Sequence, residues 1–521
     1  MHVHDDSRPR PDWPTALAAG ALAALAFTLR FGYVYGTGDH DDLLPPLLAA
    51  LEPGLFATDA YVQAQADGWT VRTAFRMFMG ALARMLTLPL AAGVVHAAVL
   101  VGTGAGVFAL ARALKAGRLA AVTAAVVAVA AVPTWTLGGN GVAYNLVTPE
   151  GIAWALVLPA LVWIVRQRPL AGAALLGVGA WFHALAGGLA LGAAAVAHGW
   201  VLWRGGKGVG RSALGAGAVA LVGGAVAALV VGPALVRQTA EAGAALPDGL
   251  TAFALYAEIR FPHHLHPGRF APETWLRFAV LLGLGWGGAR LAAARGKPLA
   301  TEWPLAFAAA AGALALAMGA LVLGAESLAA ARVHAFKLTV LVGVLACVGV
   351  GSGLSAALPK ADRRRADAAL RRAALTLPVA ALALVGVGLL IARSPTGGPA
   401  SGAAAWARAE TPPEAVFATP PGMTGFRVPA RRAVVASWKA VPFRADLAAD
   451  WWARVSALSP GAAPEALLAA RDEAYRLAPD AARREWAERF GARYALLPSD
   501  AETALPEAYR DADWVVVRLS P

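Results

Sequence analysis

The chain has little charge and almost no cysteine. Of its 521 residues only 15% are charged, whereas 58% are hydrophobic, and the mean hydropathy is +0.56. A soluble domain carries about 25% charged residues, so this composition argues against a soluble globular protein. The single cysteine, Cys347, lies in an apolar run. One cysteine excludes a disulfide framework and a cysteine-based metal site.

Charge is absent from long stretches, such as 119–135, 214–235 and 305–325. Because about 20 apolar residues span a bilayer core, these runs predict an α-helical polytopic membrane protein with about eleven transmembrane helices. The predicted spans are 14–33, 86–110, 119–134, 152–165, a pair within 170–203, 212–232, 274–289, 304–323, 335–354 and 374–391. The first span has no small-residue cleavage site and is interpreted as a retained signal anchor.

Basic residues orient these spans. The net charge is +12, but the cations occupy short loops between spans, so we expect no nucleic-acid partner. The basic groups that share one face are Arg112 to Arg118, Arg166 and Arg168, Arg204 to Arg211, Arg290 to Lys297, and Lys360 to Arg372. The positive-inside rule makes that face cytoplasmic. We therefore expect a multi-pass protein of the bacterial inner membrane with a cytoplasmic tail at 1–13 and outer loops at 34–84, 135–150 and 233–273.

After the last span the composition becomes that of a small soluble domain. Residues 394–405 are interpreted as a linker, and 406–521 as an α/β domain on the outer, periplasmic or extracellular side. The predicted strands are 416–419, 433–438, 494–497 and 514–519, and the predicted helices are 446–458, 464–477 and 480–490. Such a domain serves either as a lid over a membrane site or as a structural cap.

The first outer loop begins with a dense polar cluster, Asp39, His40, Asp41 and Asp42. A carboxylate here is a candidate general base, and Asp39 with Asp42 is a weaker candidate site for a divalent cation such as Mg²⁺ or Mn²⁺. The alternative is a solvated loop in which Asp39 or Asp41 caps a helix. Asp59, further along the same loop, is a candidate substrate contact.

A second group lies in the outer loop 233–273, where Arg260 precedes His263, His264 and His266. Arginine pairs with phosphate oxygens in a bidentate manner, so phosphate or substrate binding is favoured over metal binding. A structural role for these residues stays open.

The remaining candidates are polar residues at the outer ends of predicted spans. They are Asn145, Glu150, His183, Arg332, His334 and Lys337. Charged groups near a bundle usually face a cavity. The alternatives are that Lys337 snorkels to the interface, that Glu150 complements a helix dipole, and that His183 is satisfied within its turn.

Several segments together resemble a known group of proteins. They are 38–45 (GDHDDLLP), 55–59 (LFATD), 261–264 (FPHH), 411–417 (TPPEAVF), 425–427 (GFR) and 434–439 (VVASWK). The chain resembles the membrane glycosyltransferases of the GT-C superfamily and, more narrowly, a bacterial family of polytopic membrane proteins within or near it.

This resemblance implies a hexosyltransferase-type enzyme that moves a sugar from a polyprenyl-phosphate donor to an acceptor glycan, lipid or protein at the outer face. It implies that Asp39 is the essential acid, with Asp41 and Asp42 as competitors. Arg260, His263, His264 and Arg332 would then hold the donor phosphate.

Two other classes of function stay open. A transporter or flippase of a lipid-linked or polyanionic substrate requires polar residues at mid-membrane depth. A non-enzymatic envelope scaffold requires neither such a path nor a site. An enzyme predicts one cavity at the outer rim, with Asp39, Arg260, His263 and Arg332 converging within roughly 10–12 Å, the size of a ligand pocket.

Overall fold

The computed structural model describes residues 12–66, 68–240, 246, 250–373, 386, 400–441, 445–463 and 466–519. Within them, six helices are long and apolar enough to cross a membrane: Trp13–Phe31, Leu88–Ala113, Ala184–Arg237, Pro272–Ala294, Glu302–Ala325 and Leu328–Ala357. Arg118–Ala131, Pro149–Val165 and Pro169–Phe182 are shorter apolar helices. The prediction of a multi-pass helical membrane protein is confirmed. The count of eleven is not established, because span 374–391 lies outside the described residues except for Gly386.

The helices of the first half are α1 Trp13–Phe31, α2 His40–Leu43, α3 Pro45–Leu51, α4 Ala60–Ala66, α5 Thr73–Met85, α6 Leu88–Ala113, α7 Arg118–Val126, α8 Pro149–Val165, α9 Pro169–Phe182, α10 Ala184–Leu202 and α11 Gly208–Ala240. The next are α12 Pro262–Leu265, α13 Pro272–Ala294, α14 Glu302–Ala325, α15 Leu328–Val333, α16 Thr339–Ala357 and α17 Lys360–Ala373. The predicted pair in 170–203 corresponds to α9 and α10, and His183 lies between them.

Small residues allow these helices to approach one another closely. Gly20 of α1 lies against Gly104 of α6, and Gly285 of α13 lies against Gly349 of α16. Close backbone approach maximises van der Waals contact where lipid removes the hydrophobic driving force between helices. Helix α6 packs on both α1 and α8, so it lies between them in the bundle.

Two predicted loops contain more helix than expected. The outer loop 34–84 holds α2, α3, α4 and most of α5. The loop predicted to begin at 233 begins only after Ala240, because α11 continues through Pro233. A proline inside a membrane helix is tolerated where local adjustment satisfies the freed carbonyl.

The C-terminal part is a five-stranded mixed sheet with helices. Its strands are β1 Val416–Ala418, β2 Ala433–Val434, β3 Ala492–Pro498, β4 Glu507–Arg510 and β5 Trp514–Arg518, in the order β2-β1-β3-β5-β4. Strand β1 is parallel to β2 and β3, whereas β5 is antiparallel to β3 and β4. The helices are α18 Ser401–Glu410, α19 Arg427–Ala430, α20 Ala445–Leu458, α21 Leu467–Arg476 and α22 Asp480–Phe490.

The structure corrects two predictions for this region. Residues 401–405, predicted as part of the linker, begin α18, because Ala403, Ala404 and Ala407 form a buried face that packs in one core with the sheet. Strand β2 is also shorter than the predicted strand 433–438. Residues 394–399 of the predicted linker lie outside the described residues.

Candidate functional site

Asp39 forms an ion pair with Lys439 of the C-terminal domain. The chain turns after α1 through Gly36 and Gly38, whose φ angles of 78° and 60° favour glycine. This turn places Asp39 at the start of α2, where its Oδ1 lies 2.6 Å from Lys439 Nζ. The two side chains are 42% and 41% exposed. Asp39 is therefore the accessible carboxylate of the first cluster.

The next residue of the cluster, His40, is buried. Its Nδ1 accepts a hydrogen bond from the Gly36 backbone N–H at 3.1 Å, and its Nε2 lies 3.1 Å from the Val147 carbonyl oxygen. Burial lowers the pKa of His40 to about 4. The ring is therefore neutral, with Nε2–H donating to Val147, and it joins the loop after α1 to the loop before α8.

Asp41 points into the protein. The Ser437 hydroxyl donates to Asp41 Oδ2 at 3.4 Å, and Arg427 donates to the Asp41 backbone oxygen at 3.2 Å. Burial raises the pKa of the Asp41 carboxyl, and the nearby Arg427 opposes that rise. This position suits a structural contact with the C-terminal domain better than a base for an external substrate.

Asp42 is bound by a tyrosine and an arginine of the same loop. The Tyr61 hydroxyl and the Arg72 guanidinium both donate to Asp42 Oδ1, and the Arg72 distance is 2.6 Å. Arg72 also donates to the Tyr61 oxygen at 2.8 Å. The three carboxylates of the cluster therefore differ: Asp39 is half-exposed beside Lys439, whereas Asp41 and Asp42 are buried, the first beside Ser437 and the second beside Arg72.

Asp59 docks the C-terminal domain rather than facing an open site. Its Oδ2 lies 3.3 Å from Arg427 Nε and 3.3 Å from the Val434 backbone N, and its Oδ1 accepts from the Val62 backbone N–H at 3.0 Å. The Asp59 and Arg427 side chains are each 1% exposed. With both oxygens occupied and no exposure, Asp59 has no atom directed at a substrate.

The predicted cation site does not fit these side chains. Asp39 is paired with Lys439 and Asp42 with Arg72, so each carboxylate is already neutralised by a cation of the protein. Among the described residues, no group of three or more His, Cys, Asp and Glu side chains is placed to hold a metal ion.

Arg260 lies directly behind Lys439. It ends the π-helical turn Ala254–Arg260, and its guanidinium donates to the Lys439 backbone oxygen at 3.0 Å. The guanidinium also lies over the rings of Phe261 and Trp438, at 4.1 and 5.7 Å. Burial lowers the Arg260 pKa to about 10, and the nearby Asp42 and Asp39 oppose that change. Arg260 therefore adds positive charge beside Asp39.

Histidines connect this outer pair to a deeper layer. The rings of His263 and His264 lie 4.0 Å apart, and those of His264 and His334 lie 5.5 Å apart. Burial lowers the pKa of His263, and the charges of Arg260 and Lys439 lower it further. Burial lowers the pKa of His264 to about 4. A neutral His264 donates from Nδ1 to the Gly138 carbonyl oxygen, 2.6 Å away.

The deeper layer is centred on Lys337. Its Nζ donates to Glu150 Oε2 and to Asn140 Oδ1, both at 2.8 Å. Trp154 donates to Glu150 Oε1 at 3.2 Å, and His183 Nε2 lies 3.7 Å from Glu150 Oε2. The Lys337 side chain is only 5% exposed, so the snorkelling alternative is wrong. Glu150 does begin α8, but it also neutralises Lys337.

Two predicted site residues lie outside this network. The Arg332 guanidinium lies 5.3 Å over the Tyr256 ring, and no described hydrogen bond or ion pair joins it to Asp39, Arg260 or Lys439. Asn145 is half-buried, and its backbone oxygen accepts from the Val34 N–H at 2.8 Å.

Two cavities of the structure lie away from the predicted rim site. One, of about 20 Å³, lies against Asp59 and Arg427, and another, of about 290 Å³, lies near Arg112 and Arg166. Neither is lined by Asp39 or Arg260.

Sequence reasoning missed the residues that the C-terminal domain contributes. Lys439, Ser437 and Arg427 contact Asp39, Asp41 and Asp59. The available signal was that they lie within segments 425–427 and 434–439, which carry part of the family resemblance.

Comparisons with known proteins provide the following likenesses. A family model described as "Domain of unknown function (DUF6798)" matches residues 400–458. None of the curated proteins matches the chain. The archaeal oligosaccharyltransferase AglB from Archaeoglobus fulgidus, in complex with an inhibitory peptide and a dolichol-phosphate, aligns with a TM-score of 0.48 and 13% identity, covering 93% of this chain and 69% of that one. ArnT from Cupriavidus metallidurans in the apo state aligns with a TM-score of 0.45 and 16% identity, covering 98% of each chain. At these TM-scores the likenesses define neither the fold nor the function of this chain.

Proposed function

We propose that this protein is a GT-C-type glycosyltransferase that moves a sugar from a polyprenyl-phosphate donor to an acceptor at the outer face of the bacterial inner membrane. The observation that carries the proposal is the half-exposed pair of Asp39 and Lys439, formed where the first loop after α1 meets the C-terminal domain. In this orientation the C-terminal domain is periplasmic, and it completes the site by supplying Lys439.

The pair offers both groups that the transfer needs. Asp39 accepts the proton of the acceptor hydroxyl as the acceptor oxygen bonds to the anomeric carbon of the sugar. The bond between that carbon and the phosphate oxygen breaks, and its electron pair leaves with the polyprenyl phosphate. Lys439, with Arg260 directly behind it, stabilises the charge of the departing phosphate.

The membrane helices explain the proposed choice of donor. A polyprenyl chain lies in the bilayer and presents its phosphate at the surface, where Asp39 follows the end of α1. Nucleotide sugars are not available outside the cytoplasm, so a lipid-linked sugar is the donor that fits this face. His263 and His264 follow Arg260 closely in the chain, and in this proposal their neutral rings contact the sugar. Arg332 is proposed as a further contact to the phosphate.

The layer around Lys337 has a positioning role in this proposal. Glu150, His183 and His334 surround Lys337 beneath the exposed pair, and Asn145 lies in the same outer loop as Glu150. Glu150 is the second residue of α8, and Lys337 lies in the short 3-10 segment Ala335–Leu338 directly before α16. That position favours a site at one rim of the bundle over the central polar path that a transporter requires.

The proposal is tested with purified protein and labelled polyprenyl-phosphate sugars, by measuring transfer and release of the polyprenyl phosphate. Replacing Asp39 by Asn removes the base, and we expect a loss of about 10²-fold or more. Glu52→Gln is the matched control, because Glu52 is an acid of the same loop that pairs with Arg431 at an exposed position. Full activity in Asp39→Asn, or an equal loss in Glu52→Gln, would overturn the proposal.

A further inference from the structure

A cavity of about 290 Å³ lies at the end of the helix bundle opposite the Asp39–Lys439 pair. It is lined by the first turns of α1, by the second half of α6 and by residues of α8 from Ala155 to Trp163. Since Asp39 follows the other end of α1, the length of that helix separates the cavity from the candidate active site.

Three arginines from different elements meet at this cavity. Arg112 lies in the last turn of α6, Arg118 begins α7 and Arg166 follows α8. Asp12 is the acidic residue of the lining, and its Oδ2 lies 2.5 Å from Arg118 Nε. Asp12 therefore pairs with Arg118, and Asp12 and Asp367 also interact electrostatically with Arg112. Three arginines against two acids leave a positive balance for a ligand.

Arg112 and Arg166 have donors to offer. Arg112 uses one guanidinium nitrogen to donate to the Ala116 carbonyl oxygen at 2.5 Å. Arg166 has no side-chain hydrogen bond or ion pair to any residue in the described part of the chain. A guanidinium presents five N–H donors in a planar fork that matches the oxygens of a phosphate.

Below the arginines the lining is apolar and made largely of small residues. Gly102, Ala105, Gly106 and Ala109 of α6 face Ala155 of α8. Small side chains on facing helices leave the space that a longer residue would fill.

The cavity opens at the surface of the helix bundle. Trp13 and Leu17 of α1 and Trp163 of α8 lie at its rim, and all three are exposed. The opening therefore lies between α1 and α8, over α6. Basic groups at one end and an apolar floor at the other match the two ends of a phospholipid.

We propose that this cavity binds an anionic phospholipid of the surrounding membrane. Its phosphate contacts Arg112 and Arg166, and one acyl chain enters along Gly102 and Ala109. Single basic residues at helix ends ordinarily reach toward headgroups independently of one another. Here arginines from three helix ends converge on one cavity, which fits one ligand. This site is separate from the proposed transfer reaction.

The test uses the full-length protein in a neutral detergent and measures lipid binding by native mass spectrometry and thermal unfolding. Phosphatidylglycerol is compared with phosphatidylcholine and with inorganic phosphate alone. We expect phosphatidylglycerol to bind about tenfold more tightly than phosphatidylcholine, because both lipids offer a phosphate but the choline cation of phosphatidylcholine is repelled by the arginines. Inorganic phosphate should stabilise the protein little, because it has no chain for the apolar floor.

Variants locate the binding. Arg166→Gln should lower the affinity for phosphatidylglycerol by about tenfold, with an unchanged melting temperature in lipid-free detergent. Arg168→Gln is the matched control, since Arg168 is exposed and does not line the cavity. Ala109→Leu should also weaken binding by filling the apolar part. Equal binding of both lipids, an equal loss in Arg168→Gln, or full stabilisation by phosphate alone overturns the proposal.

Discussion

Arg427 of the C-terminal domain lies 3.3 Å from Asp59 of the first loop after α1, and each side chain is only 1% exposed. Arg427 also donates to the Asp41 backbone oxygen, and its guanidinium lies 5.8 Å from the centre of the Tyr61 ring. One buried cation therefore holds the C-terminal domain against three residues of that loop. The same contact brings Lys439 to Asp39.

Removing Arg427 should destabilise the protein strongly. In Arg427→Met the Asp59 carboxylate stays buried without its cation, and breaking a buried ion pair in this way costs about 3–5 kcal/mol. The double variant Asp59→Asn/Arg427→Met should recover part of that loss, because no unpaired charge remains. Denaturant unfolding in detergent measures the free energy, and proteolysis reports release of the C-terminal domain.

A second contact between the same two regions provides the control. Arg431 pairs with Glu52, but that pair is partly exposed. Exposed ion pairs contribute about 0–1 kcal/mol, so Arg431→Gln should change stability little. If Arg431→Gln and Arg427→Met were equally damaging, burial of the Asp59 pair would not explain the docking.

Lys439 should affect donor binding in the proposed reaction. Replacing Lys439 by Gln removes one charged contact to the donor phosphate, and we expect KM for the donor to rise about tenfold. Lys439→Arg retains the charge and should keep most of the affinity. Steady-state transfer at varied donor concentration measures both constants. An unchanged KM in Lys439→Gln would remove Lys439 from the phosphate site.

Acidification should weaken the fold through His40. Burial lowers the pKa of His40 from its ordinary value of 6.5 to about 4, and its contacts with Val147 and Asp39 oppose that change. Between these two values the unfolded chain binds a proton that the folded protein does not. The contribution of His40 to the free energy of unfolding therefore falls as pH decreases from 6.5 toward 4 and levels off below that window.

Unfolding measured from pH 7.5 to about 4.5 tests this dependence, with the window set by the two pKa values. His40→Gln lacks the titrating ring, so its stability should be lower at pH 7 but should fall less steeply on acidification. Burial also lowers the pKa of His264 to about 4. His264 still titrates in this variant, so part of the pH dependence of the free energy of unfolding should remain. Identical slopes in the variant and the original protein would contradict the assignment to His40.

Hydropathy predicted the membrane helices well because lipid requires uninterrupted apolar segments. The span predicted at 304–323 is α14, Glu302–Ala325. Strand β4 was not predicted. Its two apolar residues, Ala508 and Tyr509, are adjacent rather than alternating with polar ones, and none of its four residues is fully buried.

The candidate site was only partly predictable. Asp39, Asp41 and Asp42 look equivalent in sequence, but successive residues in the turn of α2 point in directions about 100° apart. That rotation directs Asp39 to Lys439, Asp41 to Ser437 and Asp42 to Arg72. Lys439 is distant in sequence from Asp39. Their contact forms only when two separate regions pack together, so no local sequence pattern predicts it.

Close packing between α1 and α6 gives a final prediction. A Cβ atom on Gly20 would lie 2.2 Å from the Val101 carbonyl oxygen and 2.9 Å from the Ala105 backbone N. These are backbone atoms of another helix, so Gly20→Ala must push α1 away from α6. Overpacking of this kind costs about 1–3 kcal/mol, and thermal unfolding in detergent measures the loss.

Gly192→Ala is the matched control, because Gly192 also lies within a membrane helix but a Cβ there would meet nothing within 4 Å. Alanine favours a helix over glycine by about 1 kcal/mol in water, so this variant should be neutral or slightly more stable. Since α1 also forms one wall of the proposed lipid cavity, Gly20→Ala should alter phosphatidylglycerol binding, whereas Gly192→Ala should not. Equal stability of the two variants would mean that α1 and α6 do not approach as closely as Gly20 and Gly104 indicate.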